Sequence, residues 1–216
     1  GYTPELAGTD TVAITMNGTP VNGSPFTSTV VPGPVDTTAS TADVPNGTVG
    51  TPTDIVVQAR DAFGNPVTSG GATVTVSVSG ANNPGALVVT DVGDGTYTAS
   101  YTPSVTGDDT VVITMNTIAI SGSPYTSSVS TGVVSPANST ATVPDGGVGT
   151  STEIEVQARD AGGNPMGSGG ELVVVNVSGA NNPGDLAVTD VGDGTYTASY
   201  TPANLGDDTV VITMNG

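Results

Sequence analysis

Displaced against itself by 99 residues, which carries Gln58 onto Gln157, the chain matches without an insertion or deletion. "QARDA" begins at Gln58 and again at Gln157, "DVGDGTYTASYTP" runs from Asp91 to Pro103 and from Asp190 to Pro202, and "ITMN" begins at Ile113 and Ile212. The amino-terminal stretch keeps the same register: "YTP" at Tyr2 meets "YTP" at Tyr101, and "GSPFTS" from Gly23 meets "GSPYTS" from Gly122. A strict period of this length is expected of copies that each form one sandwich and are strung head to tail. The 216 residues hold slightly more than two periods and divide into a carboxy-terminal part (1–35), a complete unit (36–134) and a unit lacking its last strand (135–216). The expected setting is a slice of a longer array. Pro32–Ala39 and Thr131–Asn138, rich in Pro, Gly and small polar residues, are the expected linkers.

Within a copy the apolar residues alternate. Ile55, Val57 and Ala59 interleave with Val56, Gln58 and Arg60, while Val74, Val76 and Val78 interleave with Thr73, Thr75 and Ser77. Tyr97, Ala99 and Tyr101 share one side of a third run, and Val111, Ile113 and Met115 one side of a fourth. Turn signals separate them: Asn46-Gly47, Gly64-Asn65-Pro66, Ser69-Gly70-Gly71 and Asp94-Gly95. About seven short antiparallel strands per hundred residues predict an all-β chain of tandem immunoglobulin-like β-sandwiches.

Composition narrows the function. Twenty acidic residues face two cations, Arg60 and Arg159, for a formal charge of −18, with no His or Cys. Nucleic acid and anionic lipid surfaces both demand a basic face that this chain lacks. Its apolar runs, such as Leu172–Val175, are too short to enter a bilayer as a helix. Nucleophilic catalysis with a histidine or lysine base is excluded by composition, and paired-carboxylate hydrolysis is disfavoured because every acidic motif is duplicated in turns. The expectation is a protein that is not an enzyme and uses no cofactor.

The runs "VQARDAFGNPVTSGGATVTVSVSG", "VTDVGDGTYTASYTPSVTGDDTVVITMN" and "ISGSPYTSSV", in this order and spacing, resemble the filamin-type immunoglobulin-like repeat. "DAFGNPV" alone is similar to the bacterial immunoglobulin-like repeats of invasin-type adhesins. The filamin pattern places an aromatic where this chain has Asp10, Asp109 and Asp208. An acidic residue there implies an open, solvated rim or a charge partner, for which only Arg60 and Arg159 are available. The resemblance also implies that a partner strand adds beside strand C, here Thr73–Ser79 and Leu172–Ser178. Thr73, Thr75 and Ser77 become Leu172, Val174 and Asn176 in the later copy, so Leu172, Val174, Asn176, Thr73 and Thr75 form the candidate partner-binding edge.

The repeated acidic phrase reads as a turn followed by strand E, Asp94-Gly95 making the turn and Tyr97 and Tyr101 entering the core. The alternative is a calcium loop drawing on Asp91, Asp94, Asp61, Asp108 and Asp109, although the spacing lacks the ligand series of an EF-hand and no metal site is assigned. Asn17, Asn46, Asn138 and Asn176 head N-x-[ST] sequons and are candidate glycosylation points; Asn22 heads another, followed by Pro25. Together these features lead us to expect a segment of an extracellular or cell-surface filament, stalk or adhesin. Its partners would be neighbouring repeats, other copies, or a protein or glycan ligand. The alternative is a peptide-binding module gripping a partner along strand C.

Overall fold

The computed structural model describes residues 1–215; Gly216, the last residue of the third predicted segment, lies outside the described residues. The chain divides into two compact units: residues 1–46, 53–101 and 108–127, and residues 47–52, 102–107 and 128–216. All regular structure among the described residues is strand.

The first unit opens with β1 (Gly8–Val12), the hairpin β2 (Thr15–Met16) and β3 (Thr19–Pro20), and β4 (Phe26–Val30), which pairs antiparallel with β1. Along the chain then follow β5 (Val35–Asp43), the short β6 (Gly47–Thr48), β7 (Thr53–Asp61), β8 (Val74–Gly80), β9 (Gly85–Ala86), β10 (Thr90–Asp91), β11 (Thr96–Tyr101), β12 (Gly107–Met115), β13 (Ile118–Ala119) and β14 (Tyr125–Ser130), of which β6, Gly107 of β12 and the last three residues of β14 fall in the second unit. One sheet has the order β10-β11-β7-β5, and the other runs β6-β14-β12-β8-β9. The fold is therefore the expected sandwich, with strand C as β8 and strand E as β11. The alternation decides what goes inside: Ile55, Val57, Ala59, Val76, Val78, Tyr97, Ala99, Tyr101, Val111, Ile113 and Met115 are all buried in one cluster.

The later unit repeats the plan with β15 (Thr140–Thr142), β16 (Thr152–Gln157), β17 (Val173–Gly179), β18 (Gly184–Asp185), β19 (Val188–Asp190), β20 (Thr195–Tyr200) and β21 (Asp208–Met214). Its sheets are β15-β16-β20-β19 and β18-β17-β21. Ile154, Val156, Val175, Val177, Tyr196 and Ala198 form a second, separate core.

The linkers are shorter than expected. Val35 to Ala39 already belong to β5, where Val35 pairs with Asp61 and Asp36 with Arg60. In the later copy Val134 bridges to Asp160. Small polar residues obscured these strand starts because Asp36 folds back locally, its carboxylate accepting the Thr38 and Ala39 N–H groups, and breaks the ladder register before Thr41.

The hairpin after β12 shows how one residue choice tunes a shared turn. Asn116 and Thr117 both have positive φ, at 49° and 72°, the twist that a two-residue hairpin between right-twisted strands requires. The first copy has Asn17 and Gly18 at these positions, with φ of 50° and 81°. A β-branched residue there is strained, whereas glycine is not. Thr117→Gly is expected to raise the stability of the first unit by about 0.5–1 kcal/mol. Urea denaturation followed by tyrosine fluorescence measures it; a lowered midpoint contradicts the strain.

Candidate functional site

Strand C is where the resemblance places a partner, and the two copies differ there. In the first unit Thr73 and Thr75 are exposed, and Thr75 shares a 2.7 Å hydroxyl–hydroxyl hydrogen bond with Thr114 on β12, its opposite residue in the ladder. In the second unit Leu172 is 64% exposed, Val174 is half-buried opposite Thr213, and Val211, opposite Asn176, is 50% exposed. Asn176 donates from Nδ2 to Asp185 at 2.7 Å, which ties it to β18. Thus Leu172 and Val174 lie on the outer face with Val211 on the neighbouring strand, while Thr73 and Thr75 make that face polar in the first unit.

The main-chain edge is only partly open. β9 pairs with β8 at Ser77 and Val78, and the Leu87 N–H reaches the Val76 carbonyl. β18 likewise pairs with Asn176 and Val177, and the Leu186 N–H reaches Val175. Among the described residues no ladder partner covers the same edge at Val74 or Val173. The free stretch is a few residues at the amino end of each strand, shorter than the whole strand that the resemblance implies.

At Asp10, Asp109 and Asp208 the expected guanidinium partner is corrected to a tyrosine hydroxyl, and the expected open rim is corrected at Asp109, whereas Asp208 is half-buried and the Asp10–Tyr2 bond is exposed. Asp109 is fully buried: its carboxylate accepts the Tyr101 hydroxyl at 2.9 Å, the Asn82 N–H at 2.6 Å and Asn82 Nδ2 at 3.0 Å. Asp208 takes Tyr200 and Asn181 in the same way, and Asp10 accepts the Tyr2 hydroxyl at 2.7 Å. The tyrosine that closes the corner between strands E and F finds its acceptor in this aspartate. Burial pushes the Tyr101 hydroxyl pKa up; the Ser127 hydrogen bond lowers it, and Asp109 raises it further. The Asn181 N–H holds Asp208 below the ordinary carboxylate range, helped by the Asn181 side chain and Tyr200 against the opposing cost of desolvation. Arg60 instead donates to the Gly64 carbonyl and to Thr41, and Arg159 to the Gly163 carbonyl and to Thr140.

The carboxylates weighed as a calcium loop are engaged separately. Asp91 accepts the N–H groups of Gly71 and Gly93, and Asp94 those of the Thr96 backbone and hydroxyl. Asp61, 2% exposed, accepts Gly33, Phe63 and Asn65. The Asn65 side chain, with those backbone N–H donors, holds the Asp61 pKa down to about 2. No group of three or more acidic residues among the described residues is arranged to hold a metal ion.

Of the sequon residues, Asn17 and Asn46 are exposed, Asn17 at its hairpin turn. Asn138 is exposed, but its Nδ2 donates to the carbonyls of Asp160 and Ala161.

This site is an edge and an outer face of an immunoglobulin-like sandwich, repeated with altered polarity. The family profile described as the Filamin/ABP280 repeat matches residues 32–126 and 133–216, and the chain belongs to that family. Filamin-C of Rattus norvegicus is 30% identical over 226 aligned residues that cover all of this chain but 8% of the relative; filamin-C of Mus musculus matches to the same extent. Among solved structures, the Escherichia coli adhesin FdeC superimposes over 97% of this chain and 70% of its own, with a TM-score of 0.61 and 26% identity. Invasin, a bacterial integrin-binding protein, covers 95% of this chain and 42% of its own at a TM-score of 0.54 and 21% identity, a likeness of fold. The chain is a tandem immunoglobulin-like segment of the filamin-repeat family.

Two outcomes follow from the carboxylate network. Tyr101→Phe leaves Asp109 buried with one donor fewer and is expected to cost the first unit about 1–3 kcal/mol; a loss near zero in urea denaturation contradicts this. Asp61 titrates near 2 in the folded chain, below the ~3.9 of an unfolded aspartate. Its stabilisation is therefore complete above pH ~4 and is lost as pH falls from about 4 to about 2. Asp36 and Asp94, lowered chiefly by the Thr38 and Thr96 hydroxyls respectively, act in the same direction. A urea midpoint that stays constant down to pH 2 contradicts the assignment.

Proposed function

We propose that this chain is a structural segment of an extracellular or cell-surface filament, stalk or adhesin, in which successive sandwiches supply distance rather than chemistry. The boundaries carried into this reading are 1–35 for the end of one repeat, 36–134 for a complete repeat and 135–216 for a third. The observation that carries it is the surface: a net charge of −18 over 216 residues built on a repeat of fixed length, with both arginines turned onto backbone carbonyls of their own loops. Such a surface resists association and offers few basic sites to proteases. The likeness to FdeC along nearly the whole chain supports the same setting. The filamin-C likeness covers a small fraction of those relatives, so it brings the repeat to this chain but no whole-protein activity.

Neighbouring repeats, other copies of the chain, and a protein or glycan ligand are the partners this reading admits. Asn17, exposed at its hairpin turn, is its favoured glycan position if the host glycosylates; Asn46 is exposed as well, and Asn138 and Asn176 hold their amides in hydrogen bonds. A second reading, strand addition at strand C, is favoured by the exposed Leu172 and Val211 with the half-buried Val174 between them.

An antibody raised against the chain is expected to label intact producing cells; labelling only after permeabilisation would overturn the surface setting, as would co-sedimentation with actin filaments. Leu172→Thr with Val174→Thr separates the two readings. A spacer keeps its stability within about 0.5 kcal/mol and every interaction of the parent, whereas a strand-C binder loses its partner in a pull-down.

A further inference from the structure

The sequence "DAFGNP", singled out for its likeness to adhesin repeats, recurs as "DAGGNP", and neither core packing nor strand C accounts for its polar residues. In the first unit it forms a closed loop after β7. The Asp61 N–H donates to the Asn65 carbonyl at 3.0 Å, the Gly64 N–H to the Asp61 carbonyl at 2.9 Å, and Arg60 bridges to Pro66. The Asp61 carboxylate holds Asn65 from inside, accepting both its backbone N–H and its Nδ2. This leaves the Asn65 carboxamide fixed in orientation.

What it meets is the preceding copy. Asn65 Nδ2 donates to the Glu5 carbonyl at 2.7 Å, and the Ala7 N–H donates to Asn65 Oδ1 at 3.0 Å. A carbonyl and an N–H two residues apart are taken by one amide, as a neighbouring strand would take them. Asp61 meanwhile accepts the N–H of Gly33, in the link between copies. All of these residues belong to the first unit.

The arrangement recurs wholly inside the second unit. Asn164 Nδ2 donates to the Ser104 carbonyl at 3.2 Å, Thr106 N–H approaches Asn164 Oδ1 at 3.5 Å, and Asp160 accepts Gly132 at 3.1 Å. Here Gly162 stands in place of Phe63, and a Cβ on it would overlap the Ser104 carbonyl. Glu5 and Ala7 are replaced by Ser104 and Thr106 without changing which backbone atoms are read.

We propose that the Asp61–Pro66 loop and its counterpart at 160–165 are coupling surfaces between consecutive repeats. The aspartate secures the loop and the link, and the asparagine carboxamide docks the backbone of the turn between strands E and F of the preceding repeat. Because only main-chain atoms are read, the surface accepts that turn from any repeat of the array. This rests on the tandem-array reading but not on where the array resides, so its failure leaves the surface setting untouched.

The test is amide hydrogen exchange by NMR on the 216-residue chain. Ala7 N–H is expected to exchange slowly in the parent and at least tenfold faster in Asn65→Ala, with the strand amides of Ile55 and Val57 unchanged. Gly162→Ala, whose Cβ would crowd both the Ser104 carbonyl and Asn164 Nδ2, is expected to speed Thr106 in the same way while Ile154 and Val156 stay protected. Free exchange of Ala7 in the parent, or equal protection of Ala7 in Asn65→Ala, overturns the proposal. Collapse of strand protection in Asn65→Ala with Thr106 unchanged in Gly162→Ala would likewise overturn it, since the motif would then serve only its own sandwich.

Discussion

Carboxylates satisfied by the chain's own N–H and O–H donors hold the ordered turns of this protein together. With two cations against twenty acidic residues, ion pairing cannot be the general solution. A carboxylate removed from water needs donors, and backbone amides aimed at it are effective ones. Asp61 gathers the amides of a loop and a link, Asp91 those beside Gly71, and Asp109 a tyrosine hydroxyl and an asparagine. Each aspartate thus places two or more segments that are distant in sequence.

Around these polar fixtures the sandwiches are ordinary in construction. A two-residue period puts valine, isoleucine, alanine and tyrosine inside and threonine or serine outside, and the two copies repeat the same inward set with Ile55 and Ile154, Val57 and Val156, Tyr97 and Tyr196. The copies diverge where the core does not constrain them: Thr73 against Leu172 on the outer face, and Phe63 against Gly162 at the loop that meets the preceding repeat. Divergence on these surfaces lets a common scaffold carry different neighbours.

The strands were legible because alternation is a local property. Ile55, Val57 and Ala59, or Val111, Ile113 and Met115, announce their burial within a few residues of chain, and the fixed period assigns each its counterpart. Polar placement was not legible in the same way. Tyr101 and Asp109 are eight residues apart across a corner, and only closure of the sandwich shows that the departure from the family's aromatic is a hydrogen-bonded replacement. Asn65 and Ala7 are 58 residues apart, with no periodic signal to pair them. A link read from small polar residues came out too long because Asp36 caps its own backbone inside a strand. The candidate edge falls on β8 and β17, but the covering of its second half by β9 and β18 depends on short segments with no pattern of their own.

Internal satisfaction of the carboxylates is tested most directly by thermal unfolding of the 216-residue chain in calcium chloride and in sodium chloride with a chelator, at matched ionic strength. If backbone, amide and hydroxyl donors already serve these groups, the two Tm values coincide. A Tm markedly higher in calcium would mean that the aspartates await a cation, and the account of their role given above would be wrong.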